Sequence, residues 1–225
     1  MNALINAHNQ RGRSRSPYAG LTSNVLPEAQ RSQTGVSSDY VQKENYEWFV
    51  LRVTYNRTQK ACSIISTFDI QSYMPMHYVI KKEIRKKKRF LQPLLPNLFF
   101  VYATRETVNS IIRKRGDETS ILKFYLDKTK PMEVNGKHPP LTIPFSAMIN
   151  FIKATSTDNE HVRVVSSEQC HYKSGDMVKV IGGEFEGVTG KVARIAGQQR
   201  VVVEISGLCL VATAYIPSAF LEINK

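Results

Sequence analysis

The sequence predicts an α+β domain followed by a small β-barrel, behind a long polar tail. Three observations carry this. Residues 46–152 interleave β-branched and aromatic runs with segments of helical spacing, as an antiparallel sheet flanked by helices requires. Residues 173–225 hold short apolar runs separated by Gly182-Gly183, Gly197 and Ser206-Gly207, the pattern of a small barrel. Residues 1–45 show no sustained period and are rich in Asn, Gln, Ser, Arg and Gly, so they are expected as a disordered tail. The polar stretch 153–172, with Thr155-Ser156-Thr157-Asp158-Asn159-Glu160, is expected as a flexible linker between two separable domains.

Order begins with residues 46–53, whose Trp48-Phe49-Val50-Leu51 reads as a strand. Asn56-Arg57-Thr58 turns into a helix with Ala61, Ile64, Ile65 and Phe68 at helical spacing, and residues 70–76 form a second strand. Pro93 and Pro96 bracket a turn before the apolar run 98–102. Alternation there sends Leu98, Phe100 and Tyr102 to one face and Phe99 and Val101 to the other. If Phe99 and Val101 face the helices, the opposite face is an apolar patch open to a partner. Thr104 caps a helix over 106–115 that ends at Gly116, residues 121–126 are another strand, and Pro144 opens a helix with Met148, Ile149 and Ile152. The barrel strands fall at 177–181, 188–195, 201–205 and 208–214.

Composition narrows the function. The 225 residues are 42% hydrophobic and 22% charged, which excludes fibrous, low-complexity and fully disordered classes. No apolar run is long enough to span a membrane, and the first residues are not a secretory signal. Cys62, Cys170 and Cys209 lie far apart, which fits a reducing cytoplasm and argues against a metal. Cys170-His171 with His161 lacks a second ligand pair, and no nucleophile or phosphate-loop motif occurs, so neither an enzyme nor a cofactor is expected. The informative number is the net charge of +12. Residues 46–152 alone hold 18 Lys and Arg against 8 Asp and Glu, and most of the excess is the run Lys81-Lys82-Glu83-Ile84-Arg85-Lys86-Lys87-Lys88-Arg89. A solvated loop is one reading of such a run, and a polyanion contact is the other.

Residues 175–192 carry the most specific pattern: Gly175-Asp176, alternating apolar residues, Gly183, Phe185, then Gly187-Val188-Thr189-Gly190. This resembles the KOW motif. Asp176 is expected to hold the turn before a strand, Gly183 and Gly187 to take positive φ around Phe185, and Gly190 to allow close backbone approach. With Trp48-Phe49-Val50-Leu51, Pro75-Met76, the basic run and Leu95-Pro96-Asn97-Leu98-Phe99-Phe100-Val101, the chain is similar to the NusG/RfaH family of transcription elongation factors.

The resemblance implies an NGN-type domain over 46–152 and an SH3-like KOW barrel over 173–225. It implies a cytoplasmic, non-enzymatic, monomeric factor that binds the clamp of the largest RNA polymerase subunit and the DNA of the elongation complex. Leu98, Phe100 and Tyr102 would face the polymerase. Arg57, beside Tyr55-Asn56, and Lys81, Lys82, Arg85, Lys86, Lys87, Lys88 and Arg89, on the hairpin between strands two and three, would contact nucleic acid. The KOW domain would recruit a ribosomal protein or a termination factor. The chain looks most similar to UpxY-type antiterminators, which act on capsular polysaccharide operons. Two rival readings are a ribosome- or RNA-binding KOW protein, against which the barrel's near-neutral charge counts, and a sequence-specific DNA regulator, for which no recognition helix is evident.

Overall fold

A computed structural model describes residues 40–54, 57–68, 70–83, 86–113 and 121–224; most of the expected tail lies outside the described residues. The chain runs β1 (Glu47–Val53), α1 (Thr58–Ile65), β2 (Gln71–Tyr73), β3 (Met76–Glu83), β4 (Lys86–Pro93), β5 (Leu98–Ala103), α2 (Arg105–Arg113), β6 (Leu122–Phe124), β7 (Thr142–Ile143) and α3 (Phe145–Thr155). A second run of strands follows: β8 (Arg163–Val165), β9 (His171–Val180), β10 (Thr189–Ile195), β11 (Gln198–Ile205), β12 (Cys209–Tyr215) and β13 (Leu221–Ile223).

β1 is central because Trp48-Phe49-Val50-Leu51 has no polar face, and all four are 0% exposed. It pairs antiparallel with β5, with Phe49 opposite Val101 and Val50 opposite Phe100. The sheet order is β2-β5-β1-β6, with β7 also on β1. One face, carrying Phe49, Leu51, Phe99 and Val101, packs on Ala61 and Ile65 of α1 and Val108 and Ile111 of α2. The other carries Trp48, Val50, Phe100 and Tyr102. The alternation expected along β5 is therefore present. Thr104 caps α2 as expected, accepting from the Thr107 N–H at 3.3 Å, with Glu106 in its first turn and Arg113 in its last. Gly116 lies outside the described residues.

Three expectations change. The strand expected over 70–76 divides at Pro75, which cannot donate to a ladder; β2 stays on the main sheet and Met76 opens the separate ribbon β3–β4. Residues 153–155 complete α3, and β8 pairs with β12, so the stretch expected as a flexible linker is built into secondary structure. Val162, Val165 and Cys170 are its buried anchors, hidden in the sequence among polar neighbours. The third change concerns the apolar face of β5. It is covered: Phe151 of α3 lies 5.5 Å from Phe100 and 6.3 Å from Tyr73, and Phe145 lies 5.5 Å from Tyr102, ring centre to ring centre.

The C-terminal strands form one antiparallel sheet ordered β13-β9-β10-β11-β12-β8. Among the described residues no pairing joins β13 to β8. Register shifts at Lys191/Ala193 and Arg200/Val202 bend the sheet. Gly190 is required by that curvature: a Cβ there would stand 2.4 Å from the Val202 carbonyl oxygen and 2.8 Å from Val201 Cγ1. α3 is apolar nearly all round, which is the pattern of a helix buried on more than one side. One apolar cluster runs from Trp48, Phe100 and Tyr102 through Met148, Phe151 and Ile152 into Val178, Val188, Val201 and Val203.

Phe151→Ala removes the central side chain of that cluster and is expected to cost about 3–5 kcal/mol. In chemical denaturation followed separately by Trp48 fluorescence and by β11 amide NMR signals, both reports should shift together. Loss confined to one sheet would contradict a shared core.

Candidate nucleic-acid and polymerase interface

The basic residues gather at one end of the five-stranded sheet. Arg52, near the end of β1, points to the α3 side and is exposed. Its antiparallel partners are Leu98 at the start of β5 and Lys123 in β6. Beyond β1, exposed Arg57 occupies the N-cap position of α1. Tyr73 is paired with Phe100, so residues 74–76 run toward the Leu98 end before the ribbon begins. The Leu94 N–H donates to the Pro75 carbonyl at 2.8 Å and closes the ribbon's base. Arg52 and Lys123 are cations directly opposed across two strands, an arrangement that is unfavourable by itself and favours an acidic partner.

The ribbon holds the basic run in order. β3 and β4 pair from Met76↔Pro93 to Glu83↔Lys86, which sets Lys81 opposite Lys88 and Lys82 opposite Lys87. Ile84 and Arg85 lie outside the described residues. At the base, Gln92 Nε2 stands 3.3 Å from His77 Nε2, and burial lowers the His77 pKa from its ordinary 6.5. Arg89 lies 4.1 Å above the Tyr78 ring, and its Nη2 donates to the Asp158 carbonyl at 2.8 Å. Arg89 thus ties the ribbon to the segment leading out of α3.

Of the residues expected to face a polymerase, only Leu98 reaches the surface, half-buried; Phe100 and Tyr102 are 0% and 1% exposed beneath α3. The C-terminal sheet is held on the far side of α3 by polar contacts. Asn150 donates through Nδ2 to the Thr189 carbonyl at 2.7 Å and accepts the Thr189 N–H at 2.8 Å, completing an edge of β10. Glu184 accepts from Thr157 Oγ1 and, at 2.9 Å, from Asn159 Nδ2. Buried Arg200 donates to the carbonyls of His161 at 2.8 Å and Thr213 at 2.7 Å, and burial lowers its pKa.

Gly175 and Asp176 lie within β9, where four residues oppose Val192 alone, instead of in a turn before the strand. Gly183 and Gly187 both take φ +81°, and Phe185 between them is buried. Among the described residues, no group of three His, Cys, Asp or Glu could hold a metal, and no helix is long and apolar enough to cross a membrane.

Residues 46–139, which carry this basic end and the ribbon, match the family model described as "Transcription termination factor nusG". This segment is similar to that family. No curated protein matches the chain. The match spans β1 through β6, while α3 and the C-terminal sheet lie beyond it.

Arg52, Lys123 and Asn150 were not singled out by sequence. Arg52 and Lys123 each interrupt an apolar strand at an outward position, a signal that period-2 reading of 47–53 and 122–124 would have raised. Asn150 gives no such signal, because its partner is a backbone edge far along the chain.

Asn150→Ala leaves the Thr189 N–H and carbonyl unpaired at the seam and is expected to destabilise the chain by about 1–2 kcal/mol in urea unfolding. An unchanged midpoint would show the amide to be dispensable. The half-buried His77 ring favours its neutral form, so its NMR titration midpoint should fall below 6.5, with the ribbon base losing stability as pH drops through that range. A midpoint at or above 6.5 would contradict the burial.

Proposed function

We propose that the chain is a NusG-like transcription elongation and antitermination factor, without catalytic activity, acting in the cytoplasm. The supporting observation is that the NusG match falls on the segment whose fold gathers Leu98, Arg52, Lys123, Arg57 and the basic ribbon at one end. In this reading Leu98 contacts the clamp of the largest polymerase subunit, and Arg52 and Lys123 meet acidic groups beside that apolar contact. Phe100 and Tyr102 support the contact from below as packed core. Arg57 and the ribbon contact DNA of the elongation complex, where phosphate contacts supply affinity without reading sequence. Binding the processive polymerase more tightly than the paused one shifts its population toward elongation.

The C-terminal sheet serves as a KOW module that recruits a ribosomal protein or termination factor. In this reading the protein acts on particular operons, such as those for capsular polysaccharide, a specialisation supported by the resemblance to UpxY-type proteins.

Leu98→Ser should weaken binding to core RNA polymerase by about 1–2 kcal/mol with the melting curve nearly unchanged, and Arg52→Glu should weaken it further through charge reversal. Phe100→Ser should instead unfold the domain, because it buries a hydroxyl and leaves a cavity. Surface plasmon resonance with circular dichroism melts separates the three outcomes. Full polymerase affinity in both Leu98→Ser and Arg52→Glu would remove this docking surface.

A further inference from the structure

A cavity of about 360 Å³ opens between α3 and the C-terminal sheet, at the lower end of the roughly 300–1,000 Å³ typical of small-molecule sites. Its sheet wall follows from register. Lys191 of β10 stands directly opposite Met177 of β9 and Val202 of β11, so the three share one face. Glu204, two residues beyond Val202 in a regular stretch of ladder, shares it too. Lys191 and Glu204 are therefore diagonal neighbours on adjacent strands, about 7–8 Å apart at the backbone. Both are exposed, and neither has an ion-pair partner among the described residues. Tyr172 lines the cavity beside them, its ring centre 5.9 Å from Lys191 Nζ. Partial burial first, then Cys170 and Glu204, raise the Tyr172 pKa, so the Glu204 carboxylate is within electrostatic reach of the same side chain. α3 supplies a further wall through Ser146 and Ala147.

This lining selects by charge. A phosphate or other simple anion drawn to Lys191 would meet Glu204, and a simple cation drawn to Glu204 would meet Lys191. A molecule bearing both an ammonium and a carboxylate is matched at both ends. Met177, Val202 and Ala147 add apolar wall, which suits an uncharged remainder. We propose that this cavity binds a free α-amino acid with an apolar side chain, its carboxylate on Lys191 and its ammonium on Glu204. The site shares no residue with the basic end of the five-stranded sheet and does not depend on the polymerase and DNA contacts. Because α3 and the sheet both line it, an occupant touches the two elements together.

The test is amide NMR of the full chain titrated with L-leucine, beside N-acetyl-L-leucine, which lacks the ammonium, and L-leucinamide, which lacks the carboxylate. L-leucine should shift the Lys191 and Ser146 amides saturably in the millimolar range, and each analogue should bind the parent chain at least tenfold more weakly. Lys191→Gln should weaken L-leucine binding at least tenfold and leave L-leucinamide binding unchanged. Glu204→Gln should weaken L-leucine binding to the same extent and leave N-acetyl-L-leucine binding unchanged. Both side chains are exposed, so circular dichroism melts of the variants should match the parent. On the parent chain alone, no saturable shift, shifts that leave out Lys191 or Ser146, or an analogue binding as tightly as L-leucine would each overturn the proposal. Undiminished L-leucine binding by either folded variant would overturn it as well.

Discussion

The fold depends on α3 having no polar side wide enough to face water. Its sequence, Phe145-Ser146-Ala147-Met148-Ile149-Asn150-Phe151-Ile152-Lys153-Ala154-Thr155, places large apolar groups around most of its circumference. Phe151 and Phe145 cover Phe100 and Tyr102 of the five-stranded sheet. Ser146, Ala147 and Asn150 meet Thr189, Lys191 and Val202 across a cavity of about 360 Å³ on the side of the C-terminal sheet. A helix buried on two sides makes two sheets share one core. Asn150 and Thr189 add direction, because an amide that both donates to and accepts from one residue's backbone fixes a register that apolar packing alone leaves loose.

That burial decides what remains for recognition. With both faces of the five-stranded sheet covered, neither face offers a broad apolar surface. What stays accessible is the end of the sheet, where β1 finishes, β5 begins and the ribbon departs. Arg52 and Lys123, cations opposed across strands there, lower folding stability slightly, and this is offset when an anion binds. The apolar residues of the domain hold its shape and leave the charges at its end exposed.

Much of this was legible in the sequence, for local reasons. Alternation along 98–102 assigned Phe99 and Val101 to the helical side, and Thr104 announced α2. The positive φ at Gly183 and Gly187 followed from the glycine spacing around Phe185. What was not legible depends on partners distant in sequence. Phe100 looked available to a partner because nothing near it in the chain says that α3, some fifty residues later, lies across it. The segment 153–172 looked like a linker because its few apolar residues stand in a polar stretch, and nothing local says that Val162 is buried or that Val165 pairs with Leu210 of β12. The opposed lysines are invisible in a charge run until the position of the turn sets which lysine meets which.

The central claim, that α3 makes one cooperative core of the five-stranded sheet and the C-terminal sheet, is tested most directly by native-state hydrogen exchange of the full chain. Amides of Val101 in β5, Ile152 in α3 and Val203 in β11 should exchange with the same opening free energy and the same denaturant dependence, as members of one cooperative unit. Val203 opening at a distinctly lower free energy than Val101, with Ile152 following only one of them, would contradict it.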